Sequence, residues 1–260
     1  MTLNQTQTLA IETILKQSLR TKFENYKPET ASMPFHTRLL GKDRMLLFSF
    51  IHSLNTNFGT TIFEPIALEL AKANFKITEK QVDAGTQISE GAQREIQNII
   101  DNISATSIKP NKIEEIEKIR KVSQKGKMHK VKLTKVDVFL EEANGEKFLF
   151  DIKTAKPNKG GFKEFKRTLL EWVAAIFAEN PQAKVNTLIA IPYNPYDPKP
   201  YDRWTMAGML DLSNELKVAD EFWDFLSGEG AYKDLLDCFE RVGIELRDEI
   251  DDYFKKYNNI

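Results

Sequence analysis

Cysteine and histidine are scarce in this sequence of 260 residues. A single cysteine, Cys238, excludes an internal disulfide and a cysteine-based zinc site. The three histidines, His36, His52 and His129, are scattered and lack the spacing of metal ligands. Any bound metal would therefore be held mostly by carboxylates, a ligand set that suits Mg²⁺.

Several other patterns are missing. The sequence has no glycine-rich phosphate loop, so we expect no nucleotide cofactor, and it has no Gly-x-Ser-x-Gly hydrolase motif. No apolar run is long enough to span a bilayer, and the start of the chain lacks a basic segment followed by an apolar one. We therefore expect a cytoplasmic protein with no membrane partner.

Charge is distributed unevenly around a net charge of −1. Residues 118–135 hold eight Lys/Arg and no acid, and residues 153–167 hold six Lys/Arg and one Glu. Residues 211–253 instead hold fourteen acids and four bases. This distribution indicates one face for a polyanion and another for water or a partner. The alternative is that all three runs are ordinary solvated surface.

Apolar spacing and turn residues predict the order of the elements. Helices are predicted at 5–20, 58–74, 88–103, 113–121 and 162–178, and strands at 130–142, 147–154 and 184–191. A proline-rich loop over 192–206 and two acidic helices follow. The order predicts an α/β (α+β) fold with a mixed β-sheet flanked by helices. We expect one domain over 1–260, with a helical part to about 125, a core over about 126–206 and C-terminal helices over about 207–260.

Helix 162–178 is predicted to be amphipathic. Its large apolar residues share one face, so Lys163, Lys166 and Arg167 are predicted to point away from the core. The lysines of the preceding segment lie near the start of this helix, where backbone N–H groups and the helix dipole favour anions. We therefore expect contacts to a DNA backbone from Lys156, Asn158, Lys159, Lys163 and Lys166.

An acid-x-lysine pattern ends the strand FLFDIK. Such a pattern occurs four times in the sequence and means little by itself. Only Asp151-Ile152-Lys153 follows a strand that has a second acid-bearing strand, with Asp137, just upstream. Two carboxylates can hold Mg²⁺, and a nearby ammonium group can orient or deprotonate water or stabilise a pentavalent phosphorus. The alternative is a surface ion pair on a half-exposed strand.

The hairpin between these strands sets a condition on the site. A two-residue Asn144-Gly145 turn would place Asp137 opposite Ile152, on the wrong face of the sheet. We therefore predict a three-residue loop or bulge, with Gly145 left-handed and Asp137 paired with Lys153. A regular two-residue hairpin would contradict the metal site.

These residues together resemble the PD-(D/E)xK nuclease superfamily. Blocks between about residues 35 and 240, of which IKTxKPN is the most specific, resemble type II restriction endonucleases of the TdeIII kind. The sequence departs from the superfamily pattern at Val136, which replaces a proline, and it has Asp151 where Glu is also allowed.

The resemblance implies a restriction-endonuclease-like nuclease domain that cuts duplex DNA at a short palindrome, with Mg²⁺ as cofactor and a homodimer as the active form. GG-any-CC is the palindrome associated with this kind. The implied metal ligands are Asp137, Asp151 and the backbone carbonyl of Ile152, with Lys153 as the catalytic lysine. Glu64 is a candidate for an additional acid from an N-terminal helix; the alternative is that it is an exposed or capping helix residue.

Base recognition must come from other residues, because phosphate contacts carry no sequence information. The candidate is the loop over 192–206, in which Asn194, Lys199 and Arg203 are expected to contact DNA and Arg203 could read guanine. The alternative is a rigid surface loop whose aromatic residues cap the core. Two other functions stay open at this point. One is a repair or structure-specific nuclease of the same superfamily, and the other is a DNA-binding module that has lost catalysis.

Overall fold

The computed structural model describes residues 2–29, 33–153, 159–202 and 204–258. The chain divides into two compact units. The first unit consists of Met1–Glu69 and Glu229–Ile260, and the second of Leu70–Gly228. One nuclease domain over 1–260 stays a prediction.

Helices and strands alternate irregularly along the described chain. The helices are α1 (Gln5–Asn25), α2 (Pro34–Leu40), α3 (Lys42–Phe58), α4 (Glu64–Ala71), α5 (Glu90–Ser104), α6 (Lys112–Val122), α7 (Phe162–Glu179), α8 (Trp204–Ala207), α9 (Leu212–Glu215), α10 (Asp220–Ser227), α11 (Ala231–Glu245) and α12 (Arg247–Asn258). The strands are β1 (Ile77–Val82), β2 (Gln87–Ser89), β3 (Met128–Lys130), β4 (Val136–Glu141), β5 (Lys147–Ile152), β6 (Val185–Ile191) and β7 (Leu216–Val218). No described helix has both the length and the apolar character needed to cross a membrane.

The first unit is helical. A capping box starts α1, because the Asn4 side chain accepts a hydrogen bond from the Gln7 backbone and the Gln7 side chain accepts one from the Asn4 backbone. The rings of Phe23, Phe50 and Tyr253 then pack α1, α3 and α12 together, with centroids 4.9 to 5.9 Å apart. A cluster of aromatic rings therefore joins these three helices.

The predicted helix at 58–74 is interrupted. The α3 helix ends at Phe58, a π-helical turn covers Gly59–Phe63, and α4 begins at Glu64. Two acidic helices were predicted at the end of the chain, but the structure has three, α10, α11 and α12, so the predicted number is wrong.

A five-stranded mixed sheet forms the centre of the second unit, in the order β1-β4-β5-β6-β7. The first three strands are antiparallel, whereas β6 runs parallel to both β5 and β7. The α7 helix connects the parallel pair β5 and β6, as a parallel pair requires. This arrangement confirms the predicted mixed sheet flanked by helices.

Helices cover both faces of the sheet. On one face, Thr187 of β6 donates a hydrogen bond of 3.0 Å to the Leu169 carbonyl of α7. On the other face, the rings of Phe148 and Phe150 pack against Phe225 of α10, with centroids 5.1 and 5.8 Å apart. Residues of β5 therefore alternate between two apolar layers, which explains why this strand is buried on both sides.

The predicted strand at 130–142 is wrong in one respect, because it is two strands. Met128–Lys130 pairs with β2 in a separate two-stranded sheet, and Val136–Glu141 joins the large sheet. Between them, the Val131 amide donates to the Thr86 carbonyl at 3.0 Å. The chain thus leaves one sheet before it enters the other.

The loop between β4 and β5 has the predicted three residues. The Glu142 amide donates to the Glu146 carbonyl at 2.9 Å, so Ala143, Asn144 and Gly145 form the loop. Gly145 has φ +84°, the left-handed conformation that this loop type needs at its third position. Since Val138 pairs with Phe150, the register continues to Asp137 opposite Asp151. The predicted pairing of Asp137 with Lys153 is therefore wrong, because the partner of Asp137 lies two residues earlier on β5. Asp137 still lies on the same face of the sheet as Asp151 and Lys153, as predicted.

Candidate active site

Two neighbouring strands bring the candidate catalytic residues to one face of the sheet. Asp137 is the second residue of β4, Asp151 lies near the end of β5, and Lys153 directly follows β5. The register keeps all three on the face covered by α7, because residues two apart on a strand share a face. The structure therefore brings together Asp137, Asp151 and Lys153, as the sequence predicts.

Asp151 and Lys153 form a close ion pair. The distance from Lys153 Nζ to Asp151 Oδ1 is 2.6 Å. The Lys153 ammonium group also lies 4.8 Å from the centre of the Phe165 ring on α7, within the range of a cation–π contact. The Lys153 side chain is about a quarter exposed, whereas that of Asp151 is buried. The lysine thus lies at the edge of the site with its charge close to solvent.

Asp137 accepts hydrogen bonds on both carboxylate oxygens. Gln81 Nε2 of β1 donates to Oδ1 at 3.0 Å, and the Ile152 amide donates to Oδ2 at 2.8 Å. Each carboxylate oxygen has a second lone pair, so these contacts leave room for a cation. The carboxylate is therefore held in one orientation from two neighbouring strands.

The protonation of Asp151 reflects its surroundings. Burial raises the pKa of Asp151 to about 6. The Lys153 ammonium group opposes this rise, and the charge of Asp137, together with a hydrogen bond between the two carboxyl groups, adds to it. Two carboxyl groups in contact and partly out of water bind either a proton or a cation, because two bare negative charges repel.

The residues fit a hard divalent cation. Asp137 and Asp151 supply carboxylate oxygens, and the Ile152 backbone lies on the β4 side of β5, where its amide contacts Asp137. Since Lys153 N–H donates to Ala190 of β6, the alternation of a strand directs the Ile152 carbonyl toward β4 as well. Oxygen ligands of this kind are those that Mg²⁺ prefers.

No third acidic or histidine ligand joins this pair within the described part of the chain. No group of three or more His, Cys, Asp or Glu side chains that could hold a metal occurs there. Glu64 is buried and belongs to the first unit. Its part as an additional acid stays a prediction.

The prediction for Lys166 is wrong. Lys166 is fully buried, and its ammonium group pairs with Glu115 of α6 and, at 2.6 Å, with Glu215 of α9. Lys112 joins this buried network, since its Nζ lies 3.0 Å from Glu215. Burial alone would raise the pKa of Glu215, but Lys112 and Lys166 hold it below its ordinary value. Lys166 therefore ties three helices together and is not available to DNA.

The other residues predicted to contact DNA are partly exposed, partly engaged in hydrogen bonds and partly outside the described residues. Lys163 is exposed on α7, and Lys199 is exposed in the proline-rich loop. The Asn194 amide is engaged within that loop, donating to the Lys199 carbonyl at 2.8 Å and accepting from the Tyr196 amide at 2.9 Å. The remaining candidates lie outside the described residues: Lys156, Asn158 and Arg203, as well as the side chain of Lys159.

Sequence reasoning missed two residues that contact the site. Gln81 lies on β1, a strand that was not predicted, and Phe165 was assigned only to the core. The segment ITEKQV has a polar alternation that a strand could have, but nothing in it marks Gln81 as a neighbour of Asp137. The contact depends on the pairing of β1 with β4, which the sequence does not reveal.

Taken together, the mixed sheet and the site on its two central strands are those of a restriction-endonuclease-like α/β protein. The family model described as "Type II restriction endonuclease, HinfI" matches residues 3–243. The chain belongs to this family of type II restriction endonucleases. It is therefore a site-specific endonuclease, and the predicted restriction-enzyme class is confirmed.

Curated relatives support the same assignment. The chain is 26% identical over 221 residues to the type II restriction enzyme HgiCII of Herpetosiphon aurantiacus, an alignment that covers 84% of this chain and 80% of the relative. It is 27% identical over 269 residues to the type II restriction enzyme MjaII of Methanocaldococcus jannaschii, covering 92% and 70%. The similarity therefore extends over both units.

Proposed function

We propose that this endonuclease hydrolyses phosphodiester bonds of duplex DNA at a short palindrome, with Mg²⁺ as cofactor and as a member of the PD-(D/E)xK superfamily. The observation that carries the proposal is the ion pair of Asp151 with Lys153, on the face of the sheet where Asp137 lies opposite Asp151. GG-any-CC is the expected palindrome, from the resemblance of the sequence.

Each residue has a distinct part in this proposal. Asp137, Asp151 and the Ile152 carbonyl would hold Mg²⁺, with Glu64 as a candidate for further acid chemistry. When bound there, Mg²⁺ would supply positive charge against the scissile phosphate. Lys153 is placed beside Asp151 to orient or deprotonate the attacking water, or to stabilise charge that develops on phosphorus.

Binding to the DNA backbone would use lysines around the start of α7. Lys163 is exposed there, and Lys156, Asn158 and Lys159 come just before it in the sequence. Lys199, Asn194 and Arg203 are proposed for the loop that reads bases. Because a palindrome has two-fold symmetry, two copies of one chain match it, and we propose a homodimer.

A cleavage assay tests the proposal. Purified protein is incubated with long unmethylated DNA in Mg²⁺ and, separately, in EDTA. We expect discrete fragments with Mg²⁺ only, and mapping their ends gives the recognition sequence. A smear of fragments would contradict cleavage at one palindrome, and intact DNA would contradict the proposed activity.

A matched pair of lysine variants tests the site itself. Lys153→Ala should abolish cleavage while DNA binding survives. Lys217→Ala is the control, because Lys217 is also the lysine of an acid-x-lysine pattern on this sheet and also lies 4.8 Å from a phenylalanine ring. Lys217→Ala should cut normally. Normal cleavage by Lys153→Ala would show that the site is wrongly assigned.

A further inference from the structure

Gln81 has an unusual backbone for a residue inside a strand. Its φ is +56°, which lies in the left-handed region. This conformation costs a non-glycine residue about 1–2 kcal/mol of conformational energy. The other described non-glycine residues with positive φ are Thr106, just after α5, and Ala219, just before α10. Both of those lie where the chain changes direction. Of these three described residues, Gln81 alone lies within a strand. A contact near Gln81 is therefore expected to explain its strained backbone.

The strand pairing places Gln81 beside Asp137. Lys80 pairs with Val138 and Val82 pairs with Val136, so the residue between them faces Asp137 on β4. From that position the Gln81 carboxamide donates its hydrogen bond of 3.0 Å to Asp137 Oδ1. The strained residue and the candidate metal ligand are therefore in direct contact.

The left-handed turn is itself supported. Lys135 Nζ donates to the Gln81 carbonyl at 3.1 Å and lies 3.9 Å from Asp83. This contact binds the backbone of Gln81 from the segment just before β4. The strained backbone thus accepts a hydrogen bond from outside its own strand.

The two donors to Asp137 are of different kinds. The Ile152 amide belongs to β5 and is fixed by the sheet. The Gln81 side chain holds the other oxygen, Oδ1, and so opposes rotation of the carboxylate about its last bond. The groups that orient a metal ligand commonly have this role, and their loss typically costs 10–100-fold in metal affinity.

We propose that Gln81 is a positioning residue, which uses a left-handed backbone to aim its carboxamide at Asp137 and so orients this carboxylate toward the cation shared with Asp151. This inference rests on the proposed function, since it concerns the same metal site. Gln81 touches neither cation nor DNA in this role and acts only through Asp137.

Binding of Mn²⁺ to the DNA-free protein tests the proposal without any cleavage. Titrations followed by electron paramagnetic resonance compare wild type with Gln81→Ala and Gln81→Gly. Both variants should bind Mn²⁺ at least about ten-fold more weakly, because both lose the donor. Gln81→Gly also removes the strain, so it should unfold at the same temperature as wild type or a higher one.

Thr106→Gly is the matched control for strain. Thr106 has φ +55°, and its hydroxyl donates a hydrogen bond to the carbonyl of the adjacent residue Ala105. We expect higher thermal stability with unchanged Mn²⁺ affinity. A purely structural role for Gln81 predicts the same result for Gln81→Gly, so a Gln81→Gly variant with wild-type Mn²⁺ affinity overturns the proposal.

A further variant separates this proposal from the proposed function. Asp151→Asn should lower Mn²⁺ affinity if Asp137 and Asp151 share a cation. If Asp151→Asn weakens binding and the Gln81 variants do not, only the role of Gln81 is wrong. If wild type binds no Mn²⁺, or if Asp151→Asn binds it equally well, the metal site and the role of Gln81 are both wrong.

Discussion

Asp151→Asn is expected to make the cation-free protein more stable at neutral pH, although it should abolish cleavage. Asp151 is buried next to Asp137, and Lys153 compensates its charge only in part, so its pKa is raised to about 6. Ionisation of the wild-type carboxyl group at neutral pH therefore lowers the free energy of unfolding. Asparagine has nearly the same shape and cannot ionise.

The size and sign of the effect follow from the shift in pKa. The rise from 3.8 to about 6 is about two units, or about 3 kcal/mol at 1.36 kcal/mol per unit. The folded protein binds this proton more tightly than the unfolded chain does. The stability that the proton contributes is thus present below about pH 4 and is lost as the pH rises through about 6. The advantage of Asp151→Asn should be under about 1 kcal/mol at pH 4 and about 3 kcal/mol at pH 8.

Urea unfolding in EDTA over this pH range measures the difference. Trp172 and Trp223 are both buried in the second unit and report its unfolding by fluorescence. Asp202→Asn is the control, because Asp202 is exposed in the same unit and its replacement should change stability by less than about 0.5 kcal/mol. Adding Mg²⁺ should then stabilise wild type but not Asp151→Asn. A variant that is no more stable at pH 8, or whose advantage does not grow with pH, would refute the reasoning.

Three further predictions concern the buried network, the DNA contact and the hairpin. Glu215→Gln leaves two buried ammonium groups with one carboxylate, so urea unfolding should show a loss of about 3–5 kcal/mol. Adding Lys166→Met restores the charge balance and should recover part of that loss; no recovery would contradict this reasoning. Lys163→Ala should weaken binding to every DNA sequence alike and make the salt dependence shallower by about one unit in a gel-shift titration; a loss confined to the cleavage site would argue against a phosphate contact. Gly145 has φ +84°, so Gly145→Ala should lower the free energy of unfolding by about 1 kcal/mol in thermal unfolding. Gly59 has φ −53°, so Gly59→Ala should cause no such loss of stability. Equal losses in the two variants would contradict the role of the left-handed loop.

Some long periodic helices could be predicted from the sequence, whereas the 17-residue helix α3 at Lys42–Phe58 was missed. The α7 helix was predicted at 162–178 and is observed at Phe162–Glu179, and α5 and α6 agree within about two residues at each end. These helices have an apolar face with clear helical spacing. The short strands β2 and β7 were missed, because three residues carry too little periodicity to be recognised.

The hairpin shows how turn chemistry determines a site. The need for Asp137 and Asp151 to share a face predicted a three-residue loop, and the structure has one. The pairing differed because the left-handed residue of such a loop is the third one, which places Gly145 directly before Glu146. The catalytic face could thus be predicted, while the exact partner of Asp137 needed the geometry of the loop.

Lys166 was predicted incorrectly for a physical reason. It lies four residues after Phe162 and three before Leu169, which is the spacing of the buried face. Its charge suggested exposure, but Glu115 and Glu215 neutralise it in the interior. Those partners are 51 and 49 residues away in the sequence, so only the folded structure reveals them.

The division of the chain has a consequence for its synthesis on the ribosome. The hydrogen-bond and ion-pair partners Gln81, Ile152 and Lys153 of the two aspartates lie within Leu70–Gly228. The first unit instead needs both Met1–Glu69 and Glu229–Ile260. Translation therefore completes the sheet and its carboxylates before the helical unit has its last two helices. The catalytic sheet is thus encoded by one continuous stretch of the sequence, whereas the helical unit needs residues from both sides of that stretch.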